Sequence, residues 1–279
     1  MIRDQELRGA WYSDPTLWVE LFALVNLAFL ALDIYVAHSI NEFRRNAEYI
    51  PFYFSLCAPV VLAVGLIAEY KWHHSTVWRD LGYLVGWLAV IIGVAGVVFH
   101  LDSRFFYERT LKSLTYAAPF AAPLAYSGVG LLLIMNRMVD SRTLEWAHWV
   151  LLLALAGFFG NFVLSLTDHA SNGFFRSVEW IPVISSAFAV GFLIVPLLMP
   201  VSSKFVQLCA AVLGLQAVVG VLGFFFHAQA NLRGPSVRIW ENLVNGAPPM
   251  APLLFVNLVL LAGIGLWVIH KRTSRANAV

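Results

Sequence analysis

The sequence predicts an all-α integral membrane protein of eight transmembrane helices, arranged as two tandem four-helix repeats related by a pseudo-twofold axis along the membrane normal. Three observations carry that expectation. The composition is 60% hydrophobic and only 12% charged, about half the charged share of an ordinary soluble domain. Eight apolar runs each approach the ~20 helical residues that cross a hydrocarbon core of about 30 Å. One stretch is written twice: His38-Ser-Ile-Asn-Glu-Phe-Arg-Arg-Asn-Ala-Glu-Tyr-Ile-Pro51 returns as His169-Ala-Ser-Asn-Gly-Phe-Phe-Arg-Ser-Val-Glu-Trp-Ile-Pro182, with seven of fourteen positions identical.

Two further echoes support the duplication. Ile91 to His100 returns as Val218 to His227, keeping both glycines, the phenylalanine and the histidine. Ala117 to Leu124 returns as Gly246 to Leu253, keeping the Ala-Pro pairs. The offsets of 131, 127 and 129 residues agree within loop-length differences and divide the chain into repeats 1–140 and 141–279.

The spans are expected near 16–38, 50–69, 80–100, 117–136, 146–168, 181–200, 204–227 and 249–270. In lipid every backbone polar group must be satisfied within the segment, so each run is read as a helix. The first opens with Ser13 or Asp14 as cap and Pro15 in the first turn, where its missing N–H costs nothing. Trp11, Tyr12 and Trp18 there, and Tyr70, Trp72, Trp78, Trp146, Trp149, Trp180 and Trp240 elsewhere, mark membrane interfaces. Met1 to Asp14 has no short apolar core, so no cleavable signal is expected and the first span stays as an anchor. Cys57 and Cys209 fall inside spans at non-equivalent places and read as inert packing residues.

Four spans per repeat return the chain to the side it started from, which gives parallel repeats with both termini on one face. That face carries ten Lys and Arg against eight on the other, a small bias toward cytoplasmic termini in a cell inner membrane. The duplicated histidine loops then face outward. Two long outer loops, His100 to Pro119 and His227 to Pro248, hold Tyr107-Glu108 and Trp240-Glu241 and are expected to form short amphipathic pieces at the interface.

Each odd-numbered span ends in histidine on that outer face: His38, His100, His169 and His227. Neutral imidazole is a common ligand for transition metals and for haem iron. Two geometries follow. Bis-histidine haem b sits within each half, on His38 with His100 and on His169 with His227; or the four surround one iron or copper site on the axis, completed by Asp102 and Asp168. Gly93 and Gly96 share a helix face with His100, as do Gly220 and Gly223 with His227. Gly96 and Gly223 thereby leave room for a macrocycle, or alternatively for close helix packing. Asp33, about 7 Å below His38 at 1.5 Å per residue, is the acid most in need of a partner. Arg45 with Glu48, and Arg176 with Glu179, are expected as ion pairs shaping the loops. His73 with His74 lie on the opposite face and are a weaker metal pair; His148 and His270 read as segment-end residues.

Other chemistries find no support. There is no phosphate loop, nucleophile elbow, His-Glu-x-x-His helix or Cys-x-x-Cys, and a formal charge of +2 without basic runs does not suggest nucleic acid. The leading reading is a multi-pass membrane protein that binds haem or a transition metal for redox chemistry or electron transfer. A small-solute or metal-ion transporter built from parallel repeats is the alternative. A third is a non-catalytic subunit or assembly factor, with the lipid bilayer and a periplasmic or membrane protein at the outer loops as partners.

Overall fold

The computed structural model describes residues 13–73 and 75–276. Trp11, Tyr12, Arg3, Arg8 and His74 lie outside the described residues. The described chain is helical, without a strand. The main helices are α1 (Pro15–Ser39), α2 (Tyr49–Trp72) and α3 (Ser75–Asp102); the short α4 (Phe105–Glu108) and α5 (Leu111–Thr115) lead to α6 (Leu124–Met138). After it come α7 (Leu144–Ser171), α8 (Trp180–Leu193), the one-turn α9 (Val195–Leu198), α10 (Ser203–Leu232), the short α11 (Ile239–Asn245) and α12 (Leu253–Ala276). Together they make a multi-pass helical membrane protein.

Local chemistry sets the helix starts. Asp14 caps α1 by accepting from Thr16 N at 2.9 Å, with Pro15 as its first residue. Thr143 caps α7 through Trp146 N at 3.2 Å, and Ser202 caps α10 through Phe205 N. Such caps satisfy N–H groups that have no intrahelical partner.

Seven of the described helical segments are long and apolar enough to cross a membrane. The fourth expected span, 117–136, departs from this: α6 begins only at Leu124 and holds 15 residues, about 22 Å of helix. Pro119 and Pro123 explain the late start. Neither can donate to a carbonyl one turn back, so the chain enters through turns and becomes regular helix only after Pro123. The same Ala-Pro arrangement delays α12 to Leu253. Pro196 separates α8 from α9 within one span, Ser177–Leu198.

Two cores form. One is made only from residues before Asp140: Ala23, Leu27, Leu30, Ile34, Ala58, Leu62, Val85, Ala89, Tyr126, Val129 and Leu133. The other gathers Trp146, Val150, Leu151, Phe158, Leu193, Leu213, Leu266 and neighbours, and reaches across to Val19, Leu132 and Met135. Within the first group α1 packs on α2, α2 on α3 and α3 on α6; within the second, α7 packs on α8, α8 on α10 and α10 on α12. Contacts between the groups are reciprocal, α6 on α7 and α1 on α12, α5 on α7 and α1 on α11. Large apolar side chains such as Val25, Ile91, Phe188 and Leu260 stay exposed on the outside, the surface expected to meet lipid.

Candidate functional site at the histidine ends

The duplicated loop folds the same way twice. After α1, Glu42 and Phe43 take left-handed backbone angles (φ 57° and 50°); after α7, Gly173 and Phe174 do so (φ 77° and 49°). Each turn closes on the histidine carbonyl, with Phe43 N donating to His38 O at 3.1 Å and Phe174 N to His169 O at 3.0 Å. A 3-10 turn follows in both, Asn46–Glu48 and Ser177–Glu179. The phenylalanine rings then stack on the next helix, Phe43 on Tyr49 at 4.9 Å and Phe174 on Trp180 at 3.9 Å. They also flank the histidines, at 5.7 Å from His38 and 6.0 Å from His169. An L residue in the left-handed region costs about 1–2 kcal/mol; Phe43 and Phe174 are held there by stacking and the closing hydrogen bond.

This loop brings a carboxylate to each imidazole. Glu48 Oε2 lies 3.3 Å from His38 Nδ1, and Glu179 Oε2 lies 3.7 Å from His169 Nδ1. The expected Arg45–Glu48 and Arg176–Glu179 pairs are replaced by these contacts. Arg45 and Arg176 are exposed, where water competes for the guanidinium, while the carboxylates turn inward. The signal for the histidine partnership was legible: a glutamate ten residues after the histidine in both copies.

The other two histidines are fixed by the proline segments. His100 Nδ1 lies 2.9 Å from Pro119 O, and His227 Nδ1 lies 2.7 Å from Pro248 O, so Nδ1 carries the proton and donates. The segments themselves are tied down, Ala118 N donating to Ser103 Oγ at 2.9 Å and Ala247 N to Asn231 Oδ1 at 2.9 Å. The glycine faces are filled by the same segments. A methyl on Gly96 would lie 2.7 Å from Pro123 Cβ, and one on Gly223 2.8 Å from Pro252 Cβ. Gly96 and Gly223 thus admit a neighbouring helix start, and the room expected there for a macrocycle is occupied by proline.

Within the first group of helices two of the histidines come together. The His38 and His100 rings are 6.2 Å apart, centroid to centroid, at an interplanar angle of 64°; His169 lies within electrostatic reach of His227. The single axial site is not formed. Among the described residues no three His, Cys, Asp or Glu side chains converge as a metal shell. Asp102 and Asp168 do not join the histidines for a helical reason: at two and one positions from His100 and His169 they point about 200° and 100° round the helix. Asp33 is partly buried and interacts electrostatically with His38.

The opposite end of the first group holds a cluster that the sequence reading missed. Glu20 and Arg137 form an ion pair at 2.7 Å, each side chain 1% exposed. Asn136 Nδ2 donates to Glu20 Oε1 at 2.7 Å, and Trp146 Nε1 donates to Asn136 Oδ1 at 3.1 Å, so α1, α6 and α7 are joined. The guanidinium also donates to Trp78 O and lies 4.4 Å over the Trp78 ring. Gly82 makes the space, because any side chain there would fall on the guanidinium. Arg137 is therefore not a loop charge, and removing it leaves nine cations against eight in the count that orients the termini. The available signal was an acid inside one span and an arginine at the end of another, at matching depth.

Comparison of the chain with protein families, with curated proteins and with solved structures found no match.

Proposed function

We infer that this is a duplicated, eight-span membrane protein in which His38 with His100, and His169 with His227, each hold the iron of one haem b, for electron transfer near one membrane face. The observation that carries the reading is the state of the imidazoles. His100 and His227 direct Nδ1 at Pro119 O and Pro248 O, and Nδ1 of His38 and of His169 lies 3.3 and 3.7 Å from a carboxylate oxygen of Glu48 and Glu179, near but not hydrogen-bonded, which leaves Nε2 as the nitrogen available to a metal. Metal-bound histidines have this arrangement, the second nitrogen held by a carboxylate or carbonyl that fixes the tautomer.

The spacing of the first pair agrees. With metal–imidazole distances of about 2 Å, two rings flanking one ion have centroids about 6 Å apart, and His38 and His100 stand at 6.2 Å. A two-ligand site suits haem, which supplies the remaining ligands itself, better than bare iron or copper; with proline seated on Gly96 and Gly223, the macrocycle would lie off those glycine faces. The duplication is supported by the matching loop turns, carboxylates and proline carbonyls. The short α6 serves as the eighth span beside helices that extend further. The count of cations favours, narrowly, termini in the cytoplasm and histidine ends facing outward.

The test is an absorption spectrum of detergent-purified protein, oxidised and then dithionite-reduced, with elemental analysis on the same sample. A reduced b-type band with about two irons per chain is expected, and His38→Ala or His169→Ala should each remove about half of it. Protein purified without chelator that carries neither band nor iron overturns the reading; copper or iron without the band replaces haem by a bare metal.

A further inference from the structure

We propose that Glu48 and Glu179 are positioning residues that set the redox potential and cofactor affinity of the two histidine sites, each acting through the imidazole it faces. The proposal rests on the bis-histidine reading and goes beyond it, because it assigns each site one charged and one neutral support. His38 and His169 face carboxylates, whereas His100 and His227 face the backbone carbonyls of Pro119 and Pro248.

The carboxylates are held where they would otherwise be costly. Glu48 and Glu179 side chains are 11% and 10% exposed. In both, Oε2 is the buried oxygen and has no hydrogen-bond partner, although Glu48 Oε1 accepts from Asn41 Nδ2 at 3.1 Å. A desolvated carboxylate oxygen without a donor is unfavourable. That the same atom is left so in both loops, directed at the same imidazole nitrogen, points to a donor that engages it when Nε2 takes a cation: the Nδ1–H of the ligated ring. Among the described residues no Lys or Arg nitrogen approaches either carboxylate within ion-pair distance, so its charge reaches the imidazole undiminished by a neighbouring cation. The left-handed backbone at Phe43 and Phe174, closed on the histidine carbonyl, returns the chain to bring the glutamate over the ring.

A negative charge beside the distal nitrogen makes the imidazole a stronger donor and favours the oxidised, more positive iron. Replacing it by a neutral amide of the same shape therefore weakens cofactor binding and raises the potential of that site alone. The experiment uses the full chain in detergent, as wild type, Glu48→Gln, Glu179→Gln and Glu48→Asp. Haemin titration of the apoprotein and a potentiometric titration of the reduced band are read on each. Affinity is expected to fall about 10–100-fold in the Gln variants, and one of two potentials to rise by about tenfold in the redox equilibrium, 59 mV for one electron. Glu48→Gln and Glu179→Gln should move different components of the titration, which a purely structural role would not produce, and Glu48→Asp should restore part of the shift.

Gln variants with wild-type affinity and both potentials unmoved overturn this assignment while the wild-type band leaves the histidine sites standing. A wild type without haem overturns the histidine reading, and this assignment with it. Should Glu48→Gln not fold, Glu48→Asp is read alone: it keeps the charge but shortens its reach, and an unchanged potential and affinity overturn the assignment.

Discussion

Glu20 and Arg137 close one end of the first four main helices with a buried ion pair, whereas the positions at the same repeat offsets in the second four, Leu151 and Leu266, close it with hydrocarbon. The substitution extends through the cluster. Gly82, which makes room for the guanidinium, corresponds to the buried Cys209, and Trp78 to the partly buried Phe205. Two fillings of similar burial thus stand at positions related by the sequence offsets of 127 to 131 residues. At the opposite end, by contrast, histidine, phenylalanine, glutamate and proline recur in both groups with the same contacts. Packing tolerates exchange of a polar for an apolar filling when volume is kept, whereas the histidine ends keep both residues and contacts, which is what the proposed ligand role asks of them.

The sharpest break in the comparison is Arg137→Leu alone. It leaves Glu20 buried without its cation and should destabilise the protein by about 3–5 kcal/mol, read as a lowered thermal midpoint in detergent. Adding Glu20→Leu writes the second group's answer into the first and should recover most of that loss, because an apolar pair of similar volume is often neutral or stabilising; a double-mutant cycle measures the coupling. A double variant no more stable than Arg137→Leu would refute the equivalence of the two fillings.

A smaller effect tests the shared end. Gly96→Ala and Gly223→Ala both drive a methyl into a proline ring, at 2.7 and 2.8 Å, and overpacking of this kind costs about 1–3 kcal/mol. The two midpoints should fall by similar amounts, and a large inequality would show that the proline segments are seated differently. The smallest effect uses the loop position where the copies differ. Glu42 and Gly173 both have positive φ, and nothing lies within 4 Å of a side chain added at Gly173. Glu42→Gly should therefore stabilise, and Gly173→Ala destabilise, by about 1 kcal/mol each, opposite shifts from one backbone conformation.

Much of this architecture was legible because it follows from local rules. Apolar runs must be helical in lipid, Asp14-Pro15 starts α1, and the repeated loop gives repeated turns. The fourth span was misplaced because the Ala-Pro pairs of residues 117–124 were read as its first helical turn, whereas regular helix begins only after Pro123. Glu48 was assigned to Arg45, three residues away, because sequence proximity favours the near partner; the fold instead reverses the chain and offers the carboxylate to His38.

By itself the sequence determined that the chain is a helical membrane protein, that four of its histidines close apolar runs, and that the loop beside His38 recurs beside His169. Composition, periodicity and repetition are properties of the chain alone, and solvent and backbone hydrogen bonding act on them directly. Only the tertiary structure decided that His38 meets His100 rather than all four meeting at an axis, that proline fills the glycine faces, and that Glu20 finds Arg137 across 117 residues. Those partnerships depend on which helix faces pack together. Helix rotation and pairing are fixed by the summed fit of many side chains, which no single segment carries.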